Sequence, residues 1–437
     1  MFMLESHLGT EQSLVLAELQ SLAAKWNVNL FLTGGAMRDM LGGFPIRDLD
    51  FTVEGNAVKI GKALAEKAGA AILSVDENRK AMEMRFPGWT TVGIAMARRE
   101  RYPKPGGKPV VTPATIHEDL RGRDFAANSI ALSLNRASRG LLLDPNNGLA
   151  DLERKELRAV SNYGFYDDPI RLLRLHRLRV RLGFGIEERT RLQYDNAREA
   201  QMETRIAPPS LASELRAIAG EPNAGDVLQA LEHEKLLGLY SGALAGPNLN
   251  LGGFAKLLKA RQLVPSGVEF HVADLPLFLH ILTEKLSDRE ASALAQTAAL
   301  TKAETGEWRK LEAKAKKLER DLKSAKLTKP SRLFQALSKA EGNQILFLLI
   351  YSQQRLVGDR IRNYLQKYLP TSTEISDKEV EAAGARPGTP KFARLKEEMV
   401  AARLDGRTKK PAPPEPPPPP PPGPRGRPSS VAMGSRS

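Results

Sequence analysis

The stretch "GGAMRDMLGGFPIRDLDF", from Gly34 to Phe51, decides how the rest of the chain is read. It follows a short apolar run, "NLFLT" (29–33), that reads as a strand stopped by two glycines. "AMRDMLGG" then fits a short helix ending in glycine. "DLDFTVEG" alternates polar and apolar residues and reads as a second strand. Side chains alternate faces along a strand, so Asp48 and Asp50 point the same way, with Leu49 opposite. Two carboxylates on one face are hard oxygen ligands that suit Mg²⁺, an ion usually held by few carboxylates together with substrate phosphates. A pair of such ions can activate an attacking hydroxyl and stabilise a leaving pyrophosphate. Gly34 and Gly35 precede a helix start, whose backbone N–H groups favour phosphate, and Arg38 on the first turn is placed to reach the same triphosphate.

Outward from this stretch, helical spacing covers "TEQSLVLAELQSLAAK" (10–25) and "GNAVKIGKALAEKAGA" (55–70). "AMEMRF" and "TTVGIAMA" read as further strands, and "RERYPKPGGKPVVTPAT" (99–115) as a basic Pro/Gly loop. This αβ region ends near residue 145. Residues 146–370 read as successive helices with breaks at Pro or Gly. Among them "EWRKLEAKAKKLERDLKSAKL" (307–327) is a long charged helix, read as a solvated face rather than a basic binding surface. The proline run near the C-terminus cannot build a core and reads as disordered or polyproline II.

The 437 residues allow several domains. There is no cysteine, which excludes disulfides, thiol catalysis and cysteine-ligated zinc. The six histidines show no metal-ligand spacing, and His176 reads as packing or helix surface. No apolar run approaches the roughly 18 residues that span a bilayer, and the N-terminal stretch carries early acids without a basic region, so neither a membrane span nor a signal peptide is expected. A cytoplasmic setting is the expectation. The formal charge is +14, and only six basic residues and one acid lie after Gly406, so most of it belongs to the rest of the chain. A basic body points to a polyanionic partner such as nucleic acid.

The order strand, Gly-Gly-x-x-Arg-Asp, spacer, Asp-x-Asp on a second strand resembles the class II tRNA nucleotidyltransferase and bacterial poly(A) polymerase family, within the polymerase-beta-like superfamily. "HEDLRGRDFAANSIAL" (117–132) is similar to its second motif, matching at Arg123, Asp124, Phe125 and Asn128. "DPNNGLADLERKELRAV" (144–160) resembles the hinge of the third. "FYDDPIRLLRLHRLRVRLGFGI" (165–186) resembles the fourth. On a helix, Asp168 and Arg171 are i and i+3 and share a face, where a carboxylate and a guanidinium can read the Watson–Crick edge of C or A. Arg174 and Arg177 would extend a basic face toward the triphosphate or RNA.

The resemblance implies an α+β architecture: a mixed-sheet nucleotidyltransferase head (1–145), then an all-helical neck (146–205), body (206–300) and RNA-binding tail domain (301–405), with 406–437 a disordered proline-rich tail. It implies that Asp48 and Asp50 hold Mg²⁺, that Gly34, Gly35 and Arg38 cradle the triphosphate, that Arg123, Asp124 and Asn128 position the sugar, and that Asp168 and Arg171 read the base, with Arg174 binding the nucleotide beside them. The implied reaction adds CCA to a tRNA 3′ end from CTP and ATP, and the loop at 99–115 accompanies the switch to A. CC-adding, A-adding and poly(A) activities are the alternatives, and so is a non-catalytic RNA-binding protein on a decayed fold. Oligomeric state is left open.

Several positions depart from the family pattern. Gly122 stands where the first of two arginines is expected, Ala126 replaces a threonine, and Asp167 replaces a glutamate. Gly93 stands where relatives carry an aspartate, with Glu83 on the neighbouring strand as the acid to compensate. Prolines 208 and 209 precede Glu214 and Leu215 in what is usually an unbroken Glu-Arg-Ile helix motif.

Overall fold

A computed structural model describes residue 4, residues 7–87 and residues 90–406. The proline-rich segment lies outside the described residues, apart from Gly406. The chain divides into two compact units, Met1–Glu374 and Ile375–Ser437.

The first unit is built on a seven-stranded mixed sheet ordered β3-β4-β5-β2-β1-β8-β9. Its strands are β1 (Asn29–Thr33), β2 (Asp48–Glu54), β3 (Ala71–Asp76), β4 (Ala81–Arg85), β5 (Thr91–Met96), β8 (Ala131–Ser133) and β9 (Leu142–Leu143). All neighbours pair antiparallel except β2 and β5, which run parallel. A parallel pair needs a crossover, and here the chain makes it through helix α3, β3 and β4. Helices α1 (Thr10–Lys25), α2 (Gly34–Leu41) and α3 (Ala57–Ala68) belong to this head region, with α1 packed on α3 and α3 on β4 and β5. The alternation of β2 sets its two faces: Leu49, Phe51 and Val53 are buried in the main core, while Asp48, Asp50 and Thr52 occupy the other face.

β3 was not among the strands expected from sequence. Its outward Ile72, Leu73 and Val75 are exposed at the sheet edge, and a register shift at Ile72/Ser74 blurs its alternation. The region expected as a loop at 99–115 is instead an antiparallel hairpin, β6 (Arg98–Arg101) with β7 (Val110–Pro113), closed by the Pro/Gly turn. β6 is wholly charged (Arg-Arg-Glu-Arg) and β7 is only Val-Val-Thr-Pro, so neither strand shows the alternation of polar and apolar residues that marks a half-buried strand. Glu100 ties the hairpin down by accepting from Arg79 Nε at 3.0 Å, Arg98 Nε at 2.7 Å and Tyr102 Oη at 2.7 Å. At the tip, Gly106 N–H donates to the Tyr166 carbonyl at 3.0 Å.

Beyond α4 (Ile116–Arg121) and α5 (Gly148–Arg154) come α6 (Arg171–Leu182), α7 (Glu188–Glu199) and α8 (Pro208–Ala219). Apart from a two-residue parallel pairing of Glu156–Leu157 with Gly185–Ile186, the described residues after 145 contain no strand. The charged helix spans Lys302–Leu322 and is not wholly solvated. Trp308, Leu311, Ala315, Leu318 and Leu322 recur at spacings of three and four and form a buried stripe. In the second unit, Asp377–Ala382 packs with Pro390–Leu404, and Val380, Phe392 and Val400 are buried.

Candidate active site

The polar face of β2 floors a cleft of about 760 Å³. Every residue singled out for metal or nucleotide in the sequence lines it: Gly34, Gly35, Arg38, Asp48, Asp50, Arg123, Asp124, Asn128, Asp168, Arg171 and Arg174. The two glycines do not precede α2 but form its first turn. Gly34 has φ +64°, and a side chain there would also meet Asp50 Oδ2 at 3.3 Å from its Cβ, so both backbone and space call for glycine. Gly35 N–H points at the carboxylate and donates to Asp50 Oδ2 at 3.2 Å.

Asp48 and Asp50 are short of counter-charge. Burial first, and then the charge of Asp48, push the Asp50 carboxyl up to about 6, against the opposing pull of Arg123, Arg38 and the Gly35 N–H. Burial also raises Asp48, while Arg47, Arg181 and the Thr91 hydroxyl act the other way. Two oxygen-donor carboxylates that ionise reluctantly side by side are a donor set that a hard divalent cation satisfies. Gly93 pairs directly with Asp50 in the parallel register and with Glu83 across β4. A Cβ at Gly93 would lie 3.0 Å from Asp50 Oδ1. Glu83 lines the cleft on the same row, its carboxyl raised by burial and then by Asp48. Among the described residues, however, no group of three or more Asp, Glu or His side chains converges to hold a metal ion, so Glu83 does not complete a third ligand.

The second motif supplies an oriented amide and a held carboxylate. Arg38 lies in the second turn of α2, not the first, and is buried. Its Nη1 donates to Asn128 Oδ1 at 2.7 Å, and its Nε and Nη2 donate to Asp39 Oδ1 at 2.9 and 2.7 Å. Asn128 Nδ2 donates in turn to Asp124 Oδ1 at 3.0 Å. Asp124 Oδ2 accepts from Arg174 Nη1 at 2.9 Å. Burial opposes ionisation of Asp124, but Arg174 and Arg171 outweigh it and hold the carboxyl well below the ordinary carboxylate range. Arg123 donates to Asp119 Oδ2 through Nε at 2.8 Å and Nη2 at 2.6 Å, and to Thr52 Oγ1 at 3.0 Å.

The fourth motif departs from the expected geometry. Asp168 and Arg171 do not share one helix. Asp168 has φ −129° and ψ 84°, because Pro169 disfavours the helical conformation in the residue before it, and α6 begins only at Arg171. The two side chains still meet, with Arg171 Nε 3.7 Å from Asp168 Oδ2. Arg171 is also clamped to the second motif, its Nη1 donating to the Arg123 carbonyl at 3.2 Å and its Nη2 to the Gly122 carbonyl at 3.1 Å. These acceptors are main-chain atoms, so the missing arginine at Gly122 does not disturb them.

Sequence reasoning reached Arg174 and Arg177 on the wall beside them but missed Arg181 and the acids that hold all three. Arg174, Arg177 and Arg181 form one stripe of α6 at i, i+3 and i+7, facing away from the buried Leu172 and Leu175. Arg177 Nε donates to Glu214 Oε1 at 2.6 Å, Arg174 Nε lies 3.8 Å from Glu214 Oε2, and Arg181 donates to Asp39 Oδ2. Glu214 is delivered by α8, where Pro208 and Pro209 occupy the start of the helix, a position that tolerates proline. His176, on the other face, is fully buried with its ring edge-on to Tyr194 at 5.0 Å, as the packing reading expected. No described helix is long and apolar enough to cross a membrane.

Residues 30–158 match the Poly A polymerase head domain. The chain is 28% identical over 341 residues to an A-adding tRNA nucleotidyltransferase of Aquifex aeolicus, covering 77% of this chain and 40% of that protein. It is 35% identical over 206 residues to a CC-adding tRNA nucleotidyltransferase of Deinococcus radiodurans, covering 47% and 54%. The chain thus spans about half or less of the length of these relatives. A solved CCA-adding enzyme in apo form aligns over 93% of this chain and 95% of its own with a TM-score of 0.52 at 24% identity, a likeness of fold. The four motifs, the mixed-sheet head with its helical continuation and these matches agree: residues 30–158 carry the Poly A polymerase head domain, and the chain is similar to the class II tRNA nucleotidyltransferase and bacterial poly(A) polymerase family.

Proposed function

We propose that this chain is a template-independent tRNA nucleotidyltransferase that adds CCA to the tRNA 3′ end from CTP and ATP and releases pyrophosphate. The observation that carries the reading is the placement of Asp48 and Asp50 on one face of β2, beneath the glycine turn of α2, in the cleft that Asp168 and Arg171 also line. Asp48 and Asp50 would hold Mg²⁺, which when bound supplies charge to activate the 3′-hydroxyl and to stabilise the pyrophosphate leaving group. The Gly34–Gly35 turn and Arg38 border the triphosphate. Arg123, Asp124 and Asn128 fix the sugar through the hydrogen-bonded set described above. Asp168 accepts from the exocyclic amine of C or A, and Arg171 donates to the adjacent ring acceptors; Arg174 keeps Asp124 charged and aligned. In this reading the head extends to residue 145, the neck to 205 and the body to 300, with the tail domain holding RNA through backbone and shape contacts in the cytoplasm.

The test is incorporation of labelled CTP and ATP, separately and together, into tRNA transcripts lacking CCA, ending in C or ending in CC, with Asp50→Ala as control. Ordered C, C, A addition that is lost with Asp50 is the expected result. Only C, only A or long A tracts would assign a narrower activity of the same site. Gly93, which leaves Asp50 without a third acid beside it, favours one rival, a non-catalytic RNA binder. Retained tRNA binding with no incorporation would establish it.

A further inference from the structure

One buried carboxylate near the cleft has no part in the reading above. Glu221, just past the end of α8, is 1% exposed. Its Oε2 accepts from Arg47 Nη2 at 2.8 Å and its Oε1 from Arg177 Nη1 at 3.2 Å, and Arg181 Nη1 lies 3.8 Å from Oε1. The main chain around it is fixed as well. The Gly220 carbonyl accepts from Arg47 Nη1 at 3.1 Å, and the Glu221 carbonyl from Arg261 Nη1 at 3.0 Å. So three guanidiniums converge on one carboxylate, one from the residue before Asp48 and two from α6.

Two of these cations matter to the metal site. Arg181 lines the cleft together with Asp48, Arg47 is the residue immediately before it, and both guanidiniums favour the Asp48 carboxylate. A guanidinium released beside a carboxylate pairs with it, often in bidentate fashion. Arg181 is shared between Asp39 and Glu221, whereas the side-chain acceptor of Arg47 is Glu221. Without the Glu221 charge, Arg47 is left with the carboxylates of Asp48 and Asp274 within its electrostatic reach, and an ion pair with Asp48 competes directly with a divalent cation.

We propose that Glu221 is a positioning residue that holds Arg47 and Arg181 off Asp48, keeping the Asp48 carboxylate available to a divalent metal. This rests on the metal role of Asp48 and Asp50 proposed above. Glu221 touches neither nucleotide nor metal; it acts by occupying the arginines.

The experiment measures Mn²⁺ binding to the full chain by electron paramagnetic resonance of the free ion, alongside the Mg²⁺ dependence of nucleotide addition. Glu221→Gln, equal in shape but uncharged, is expected to weaken Mn²⁺ on the order of tenfold. It should also raise the Mg²⁺ needed for half-maximal activity while leaving kcat at saturating Mg²⁺ near wild type. Arg47→Met added to Glu221→Gln removes the competitor and is expected to restore Mn²⁺ affinity, which a merely structural role would not do. Wild-type affinity in Glu221→Gln, or no recovery in the double variant, overturns the proposal. If Glu221→Gln alone does not fold, the charge-balanced double variant carries the test, with near-wild-type affinity expected and weakened affinity overturning it. Should wild-type Mn²⁺ binding be indifferent to Asp48→Ala and Asp50→Ala, the metal reading itself fails, and this proposal with it.

Discussion

Asp50 and Gly93 sit side by side in the parallel register of β2 and β5, and the glycine's missing side chain leaves Asp50 Oδ1 without a neighbour on that strand. An acid placed there faces Asp50 across the sheet, and like charges opposite one another destabilise a sheet. Gly93→Asp is therefore expected to lower the melting temperature of the metal-free protein and to enlarge the upward shift produced by Mg²⁺. Melting curves with and without the ion check it. An unchanged Mg²⁺ shift would mean that this row of the sheet does not face the ion.

The raised carboxyl of Asp50 sets a pH window. Its folded pKa, about 6, lies above its ordinary 3.8. The associated stability is fully present below pH 3.8 and is lost as pH rises through 6, amounting to about 3 kcal/mol as an upper bound. Metal binding needs the ionised form and runs the other way. Apparent Mg²⁺ affinity should fall about tenfold per unit below pH 6, and Asp50→Asn should both flatten the stability profile and abolish the metal response. Isothermal titration between pH 5 and 8 measures this directly.

Arg174 and Asp124 are expected to be much harder to separate than a surface pair. Removing the guanidinium leaves a buried carboxylate whose other hydrogen bonds come from one backbone N–H, at 2.7 Å, and the Asn128 amide, with Arg171 the remaining cation acting on it. Arg174→Met should cost about 2–3 kcal/mol, toward the low side for a broken buried pair because the arginine is partly exposed. Since the Asp124 carboxyl is held below its ordinary range, the lost stability is that present above pH 3.8 and absent in acid. Urea unfolding of both proteins at pH 7 and at pH 3 should show the difference shrinking.

His176 gives a slope of the same sign as Asp124 and opposite to that of Asp50. Neither ring nitrogen has a hydrogen-bond partner, and burial first of all pulls its pKa down to about 4. A buried neutral imidazole resists protonation, so the fold loses stability as pH falls from 6.5 toward 4. His176→Leu should remove this loss and leave the protein more stable at pH 5 than the parent, as thermal unfolding across that range will show.

The head was legible where chemistry and periodicity coincide. Leu49, Phe51 and Val53 alternate with Asp48, Asp50 and Thr52, so β2 and its two faces could be read directly. Pro169 was equally visible, yet its effect on Asp168 was passed over in favour of simple i, i+3 spacing. β6 was hidden because its charged residues, such as Arg99 and Glu100, carry no apolar alternation, and β7 because it is a four-residue run ending in proline; the order of β6 comes from long-range partners such as Arg79. Glu221 was out of reach for the same reason. Nothing in its neighbourhood in sequence announces that Arg47, 174 residues away, will meet it.

The cleft arginines already have acidic partners within the chain. Arg38 and Arg181 share Asp39, Arg174 and Arg177 share Glu214, Arg123 has Asp119 and Arg79 has Glu100. A change at one member strands a charge on the other, so such positions cannot drift independently over evolutionary time. Accepted exchanges at Asp39 and Arg181, or at Glu214 and Arg177, should arrive together. Among related chains, the pairings measured here as distances would then be recorded as correlated substitutions.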